Sequence, residues 1–194
     1  MKLIRPCLVV TAFLLALCCA AYPAFVTGVA QAAFPREANG SLIARDGRVR
    51  GSMLIGQTFA DPSAHPEYFW GRPSAATVDG ATGVTYSSGS NYGPLNPSLT
   101  DEVSARVAAL RATGVTGTIP VDLVTKSASG LDPHISPAAA EVQVPRVARA
   151  RAMSEASLRA LVAKHTEGRT LGLFGEARVN VLALNLDLDA RAGR

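Results

Sequence analysis

Cysteine is missing from the chain after residue 19: the only three, Cys7, Cys18 and Cys19, sit near the start. Whatever folds beyond them has no disulfide and no zinc–thiolate site, so its own core must hold it together. Lysine is scarce too, confined to Lys2, Lys126 and Lys164, and none follows a glycine. That excludes a phosphate-binding loop ending in Gly-Lys-Ser/Thr, in which an ammonium group and backbone N–H groups meet the phosphates. The three histidines, His65, His134 and His165, have no paired spacing such as His-x-x-x-His. Satisfied or exposed histidines are a simpler reading than a transition-metal site. Charge is thin at 18% of residues, against about 25% in an average soluble protein. The deficit lies at the front, because the 29 residues from Pro6 to Phe34 carry no charged side chain. Residues 35–194 carry 17 basic and 15 acidic side chains with the signs interspersed. No basic stripe is present for nucleic acid to follow. The 48% hydrophobic content argues against disorder, and the lack of any short repeat against collagen-like or coiled-coil architecture.

The uncharged run is longer than the roughly 20 apolar residues that a membrane-spanning helix needs. A cleaved signal peptide is the rival, with Lys2 and Arg5 as its basic start and Ala30-Gln31-Ala32 as a small-x-small cleavage site. The run is about twice the length of a signal core, which favours a retained anchor. A lipoprotein anchor fits less well, since Leu17 and Cys18 precede the two candidate cysteines where small residues are expected. Lys2, Arg5 and the terminal amine predict a cytoplasmic N-terminus, and Arg36 on the other side is offset by Glu37. The expected organisation is a single-pass anchor over 1–34 in the inner (cell) membrane and a periplasmic or extracytoplasmic domain over 35–194. Tyr22-Pro23 predicts a helix boundary within the run.

The expected fold of the second part is a small, loop-rich α+β domain. Short strands are predicted at Ser41-Leu42-Ile43 and over Gly51–Gly56. Between Gln57 and Pro97, five glycines and five prolines forbid long regular elements, but the adjacent aromatics Tyr68-Phe69-Trp70 argue for order. Helices are predicted over Asp101–Thr113, with Ser98 and Asp101 in capping-box spacing and Gly114 as the stop, and from Ser136-Pro137 until Pro145 kinks or ends it. A third follows Ser154 and stops by Gly168. Strands are expected over Ile119–Val124 and over Val179–Leu188, where alternating leucines give the pattern of a half-buried strand with Asp187 and Asp189 on its solvated face.

Several groups can carry function. Ser127, Ser129, Asp132 and His134 include the residue types of a serine hydrolase, but no Gly-x-Ser-x-Gly elbow accompanies them and Asp132-Pro133-His134 equally suits a tight turn into a helix. The segment Ser87-Ser88-Gly89-Ser90-Asn91 offers hydroxyls and a backbone nest to a phosphate, or is a plain turn. Phe69, Trp70 and Arg72 are either a partner-docking group or a core anchor with the guanidinium stacked or paired. Arg146 and Arg149, three apart, present a basic edge for docking or an ordinary solvated helix face.

Taken in order, these segments resemble one family. Thr27-Gly28-Val29-Ala30-Gln31, Phe34-Pro35, Gly51-Ser52-Met53-Leu54-Ile55-Gly56-Gln57, Phe69-Trp70-Gly71-Arg72-Pro73-Ser74 and Gly89-Ser90-Asn91 come first. Ser129-Gly130-Leu131-Asp132-Pro133-His134-Ile135-Ser136-Pro137, Pro145-Arg146-Val147-Ala148 and Val179-Asn180-Val181-Leu182 follow. Nearly end to end, the chain resembles the C subunits of bacterial Kdp-type potassium-transporting ATPases. The resemblance implies a non-catalytic accessory subunit that assembles or stabilises a pump. It also implies a catalytic chaperone that raises the ATP affinity of the hydrolysing subunit. The implied partners are a channel-like potassium-translocating subunit, an ATP-hydrolysing P-type subunit and a small membrane peptide. No cofactor is expected to bind tightly; ATP is reached indirectly, through the hydrolysing subunit. Partner contact is expected at Phe69, Trp70, Arg72, Asp132, His134 and Arg146, and nucleotide contact, if direct, at Ser87, Ser88, Gly89, Ser90 and Asn91. No catalytic or metal-ligating residue is expected. The rival from another class is a membrane-anchored exported serine hydrolase using Ser127 or Ser129 with His134.

Overall fold

The computed structural model describes residues 3–45, 47–57 and 64–191. Two compact units divide at residues 52 and 53. The first begins with a continuous helix over Ile4–Ala33, 30 residues long and with none of its most apolar window buried in protein. At 1.5 Å per residue it measures about 45 Å, more than the roughly 30 Å of a bilayer's hydrocarbon core. Its parts are α1 (Ile4–Leu15), a π-helical segment over Ala16–Ala21, and α2 (Tyr22–Ala33). The helix boundary expected at Tyr22-Pro23 is absent. Pro23 cannot donate a hydrogen bond and its ring crowds the carbonyl four residues back, and the wider π turns lie immediately before it. Within them the Tyr22 N–H reaches back five residues to the Leu17 carbonyl. A short helix, α3 (Pro35–Ala38), follows. Then an antiparallel hairpin of β1 (Leu42–Arg45) and β2 (Arg48–Ser52) closes the unit. The strand expected over Gly51–Gly56 is thus shifted towards the N-terminus.

The second unit is mixed helix and strand with long loops. It comprises β3 (Thr77–Val78), β4 (Thr85–Tyr86), α4 (Pro97–Ala112), a 3₁₀ turn at Val121–Leu123, β5 (His134–Ile135), α5 (Pro137–Glu141), α6 (Val144–Arg151), α7 (Glu155–Lys164), β6 (Thr166–Glu167), β7 (Arg178–Asn180) and α8 (Val181–Arg191). Strands β5, β7 and β6 form an antiparallel sheet with β7 in the middle. The helices start at sequence-encoded caps. Asn96 is the cap, accepting from the Ser98 N–H with Pro97 at the first helical position, so α4 opens four residues before the expected Asp101 start and is capped two residues before Ser98. Ser136 caps α5 by accepting from the Ala139 N–H, and Ser154 caps α7 by accepting from the Ser157 N–H. Pro145 does interrupt the path, since α5 ends before it and α6 restarts with the proline in its first turn.

Two strand expectations fail. Ile119–Val124 holds the 3₁₀ turn, entered from Pro120 in an extended conformation. Val179–Leu188 contributes only the end of β7 before turning into α8. There Val181, Leu184 and Leu188 lie on one helical face and are buried. Asp187 and Asp189 therefore project from a helix. Asp187 meets Lys164, His165 and Arg191, and Asp189 meets Arg151.

The core packs α8, α6 and α7 around the buried Leu158, Leu161, Val147, Val179 and Leu184 together with Phe69. Phe69 lies on a segment outside any strand, beside helices, so its peptide groups have no ladder partner. Side-chain amides take that place. The Phe69 N–H donates to Asn185 Oδ1 and its carbonyl accepts from Asn185 Nδ2, both at 2.9 Å. The Trp70 N–H donates to Gln143 Oε1 at 2.8 Å, and its carbonyl accepts from Gln143 Nε2 at 3.1 Å. Each amide reproduces the paired donor and acceptor of a strand neighbour.

Replacing Asn185 with leucine keeps the volume but orphans both peptide groups of Phe69. We expect it to lower the unfolding free energy of the full chain by about 2–4 kcal/mol. A urea midpoint unchanged from wild type refutes the clamp.

Candidate functional site

The expected docking residues come together on the aromatic segment and the turn before α5. Phe69 has no exposed surface, so its side chain belongs to the core and its neighbours form the surface there. Trp70 is half-buried. Its indole N–H donates to the His65 carbonyl, and the Arg146 guanidinium lies 3.7 Å from the centre of its ring. Arg146 is itself buried and donates to the carbonyls of Pro66 and Tyr68 and to Gln143 Oε1. Burial pushes its guanidinium down to about 10, which leaves it charged at neutral pH. Arg146 thus serves as a hub beneath the aromatic segment, tying it to the amide clamp. Arg149, its expected partner on a basic edge, is exposed on the same helix.

Arg72 turns the other way, donating to Asp132 Oδ2 at 3.2 Å and to the Lys126 carbonyl at 3.4 Å. Asp132 also accepts the His134 backbone N–H at 3.0 Å, and its Oδ1 lies 3.7 Å from His134 Nδ1. One residue pair along, Asp122 accepts both the N–H and the hydroxyl of Ser136. An open cleft of about 370 Å³ runs past Arg72, Asp122, Asp132, His134, Ser136 and Arg178. Burial lowers the basicity of His134, the Arg178 charge lowers it further, and Asp132 and Glu167 only partly oppose them. The imidazole is therefore harder to protonate than a free one.

Ser127 is buried, and Ser129 Oγ accepts from the Leu131 N–H. Among the described residues no hydrogen bond joins either serine to His134. The Ser87–Asn91 segment packs as backbone against 127–130. Ser87 Oγ and the Ser88 N–H both donate to the Ser129 carbonyl, and Asn91 has a positive φ. Ser88 Oγ donates to the Gly89 carbonyl, and Ser90 is half-buried. Two glycines allow this close approach. A side chain on Gly89 would meet the Ala128 carbonyl at 2.8 Å. One on Gly130, at φ +68°, would meet Ala76 N and the Ser88 carbonyl at 2.7 Å. No group of three or more potential metal ligands occurs among the described residues.

Residues 4–190 match the family profile described as KdpC, the K+-transporting ATPase c chain. The chain belongs to the KdpC family. A potassium-transporting ATPase KdpC subunit of Sorangium cellulosum (strain So ce56) is 59% identical over 188 residues, covering 96% of each chain. Those of Burkholderia mallei (strain SAVP1) and Burkholderia pseudomallei (strain K96243) are 57% identical over 191 residues, or 97% of this chain and 96% of theirs. KdpC proteins are subunits of a larger ATPase, so membership implies other subunits.

Sequence reasoning missed the roles of Gln143 and Asn185, each a lone amide among apolar neighbours. It also missed the pairing of Asp187 with His165. His165 first, then Lys164, hold that carboxyl well below the usual carboxylate range.

Gly130→Ala should cost about 1–3 kcal/mol, because both the left-handed backbone and two fixed backbone atoms oppose the methyl group; an unaltered thermal midpoint contradicts the packing. For His134 the folded state binds its proton more weakly than the unfolded state. Stability from the neutral ring is therefore present above the ordinary value of about 6.5 and is lost as pH falls through the folded value. His134→Gln should flatten that acid-side loss, as read from denaturant midpoints across pH; parallel profiles contradict it.

Proposed function

We propose that this chain is the non-catalytic accessory subunit of an ATP-driven potassium uptake pump. In this reading it assembles or stabilises the complex and acts as a catalytic chaperone that raises the ATP affinity of the hydrolysing subunit. The observation that carries the reading is a family match over residues 4–190 on a chain whose first helix is long and apolar enough to cross a membrane. The relatives' names place them in a potassium-transporting ATPase. The partners proposed are a channel-like potassium-translocating subunit, an ATP-hydrolysing P-type subunit and a small membrane peptide. The helix is a retained single-pass anchor in the inner membrane, with Lys2 and Arg5 on the cytoplasmic side and the second unit outside.

That orientation sets how the chaperone role works. A domain outside the membrane cannot touch cytoplasmic ATP, so its influence travels through membrane-embedded partners as a difference in affinity for two pump states. Trp70, Arg72, Asp132 and His134 are the proposed contact residues, with Phe69 and Arg146 fixing them from below. Direct nucleotide contact at Ser87–Asn91 is the alternative, and it requires that segment to face the cytoplasm.

Two measurements test the reading. Adding the chain to the remaining subunits should lower the ATP concentration needed for half-maximal hydrolysis by about 5- to 150-fold, the usual range of such couplings. An unchanged ATP dependence refutes the chaperone role, and normal high-affinity potassium uptake in cells lacking the chain refutes the subunit role. A cysteine placed at Ser90 should react with a membrane-impermeant reagent added outside intact cells; protection there, with reaction in inverted vesicles, reverses the topology.

A further inference from the structure

Residues 166–180 form a finger whose base is in the core and whose tip is apolar and exposed. At the base, Val179 is fully buried and the Thr166 hydroxyl donates to the Val162 carbonyl at 2.7 Å. Rungs of ion pairs and backbone bonds climb from there. Arg178 meets Glu167 at 2.9 Å, and the Arg169 guanidinium donates to both carboxylate oxygens of Glu176 at 2.7 Å. Thr170 and Phe174 then exchange backbone hydrogen bonds at 2.8 and 3.0 Å. Beyond this last rung the chain turns through Leu171 at φ +55° and Gly172 at φ +74°. Leu171, Leu173 and Phe174 are 85%, 74% and 66% exposed.

Both features are costly. A leucine in the left-handed region is strained, and the turn would accept asparagine there without penalty. Three exposed apolar side chains within four residues add an unfavourable surface, and the paired hairpin holds them outward. The rim decides what covers them. Its two arginines are both paired with glutamates, so the finger carries no free positive charge to draw it to an anionic bilayer, and its tip has neither tryptophan nor tyrosine to settle at a lipid interface. A neutral rim around an apolar tip fits a protein cleft with an apolar floor.

We propose that the Leu171–Phe174 tip is a docking knob that inserts into an apolar cleft on another protein subunit of the pump. This rests on the subunit reading above and adds to it a contact at the tip of the finger, whose Glu176 and Arg178 line the cleft beside Arg72.

The test uses the full-length chain co-expressed with the remaining, affinity-tagged subunits. Leu171→Asn relieves the strained turn while removing the apolar contact; Phe174→Thr replaces the ring with a smaller residue that still favours a hairpin strand. Both variants should keep or raise the thermal midpoint of the isolated chain, yet be retained on the tagged complex roughly 10- to 100-fold more weakly. Wild type that fails to co-purify overturns the pump reading and this inference with it. Wild type and both variants retained alike overturn the inference alone. A solvent-sensitive dye at Leu173→Cys, in a chain whose anchor cysteines are replaced by alanine, separates protein from lipid in phosphatidylethanolamine–phosphatidylglycerol nanodiscs. A blue shift only when the other subunits are added supports the knob. A blue shift in the chain alone, or none in the complex, overturns it.

Discussion

The pairing of two side-chain amides with two consecutive peptide units is the constraint on which the second unit depends. A segment buried beside helices must satisfy its N–H and C=O groups, and leaving them bare costs about 1–3 kcal/mol each. Asn185 on α8 and Gln143 just before α6 meet that need at Phe69 and Trp70. Because the amides come from different parts of the chain, the clamp does more than close a loop. It fixes α8 and α6 against that segment and sets the depth to which Phe69 enters the core. The surrounding polar groups extend the same grip. Tyr68 donates to Asp189, Arg151 pairs with Asp189 at 2.8 Å and stacks over the Tyr68 ring, and Arg146 stacks over Trp70.

Local signals in the sequence located the elements whose causes are local. Ser136 and Ser154 cap helices, Pro145 breaks one, and the charge-free run becomes a 30-residue helix. Where the cause is distant, local reading failed. The leucines from 182 to 188 alternate as in a strand, but Val181, Leu184 and Leu188 also fit a helix, and two-residue periodicity hid that second fit. One local clue favoured the helix: Asn180 accepts from the Ala183 N–H, as an N-cap does. The Gly- and Pro-rich stretch before Pro97 shows the opposite limit. Its aromatics do pack, with Phe69 buried, yet their partners Gln143, Arg146 and Asn185 lie more than 70 residues away. No periodicity links them.

The candidate site was legible as a set of residues but not as a set of roles. Arg72, Asp132 and His134 do gather at one cleft, while Phe69 and Arg146 work beneath the surface. Residue types and spacing left a hydrolase reading open at Ser127, Ser129, Asp132 and His134. The ordered string of short motifs pointed to the family, because each is weak alone and their sequence from Thr27 to Leu182 is specific. The structure adds a physical reason for several of those motifs. Gly89 and Gly130 lie where backbone meets backbone with no room for a side chain, and Asp132 joins Arg72 to the turn before β5.

Stiffness is the property that links this architecture to the proposed role. A subunit that biases a pump between two states must hold a surface of fixed shape, since a pliant one would adapt to both states and favour neither. Clamped amides and buried stacking on Trp70 provide that fixity in the second unit. Its charges are largely spent internally: the finger's arginines on Glu167 and Glu176, Arg72 on Asp132, Arg151 on Asp189. With these cations committed, attraction from afar contributes little at those surfaces, and recognition falls to shape and apolar contact at close range. In the proposed reading a retained membrane anchor makes that sufficient. Under that proposal the domain is tethered beside its partners and needs no electrostatic steering to find them, because tethering raises the effective concentration at which they meet.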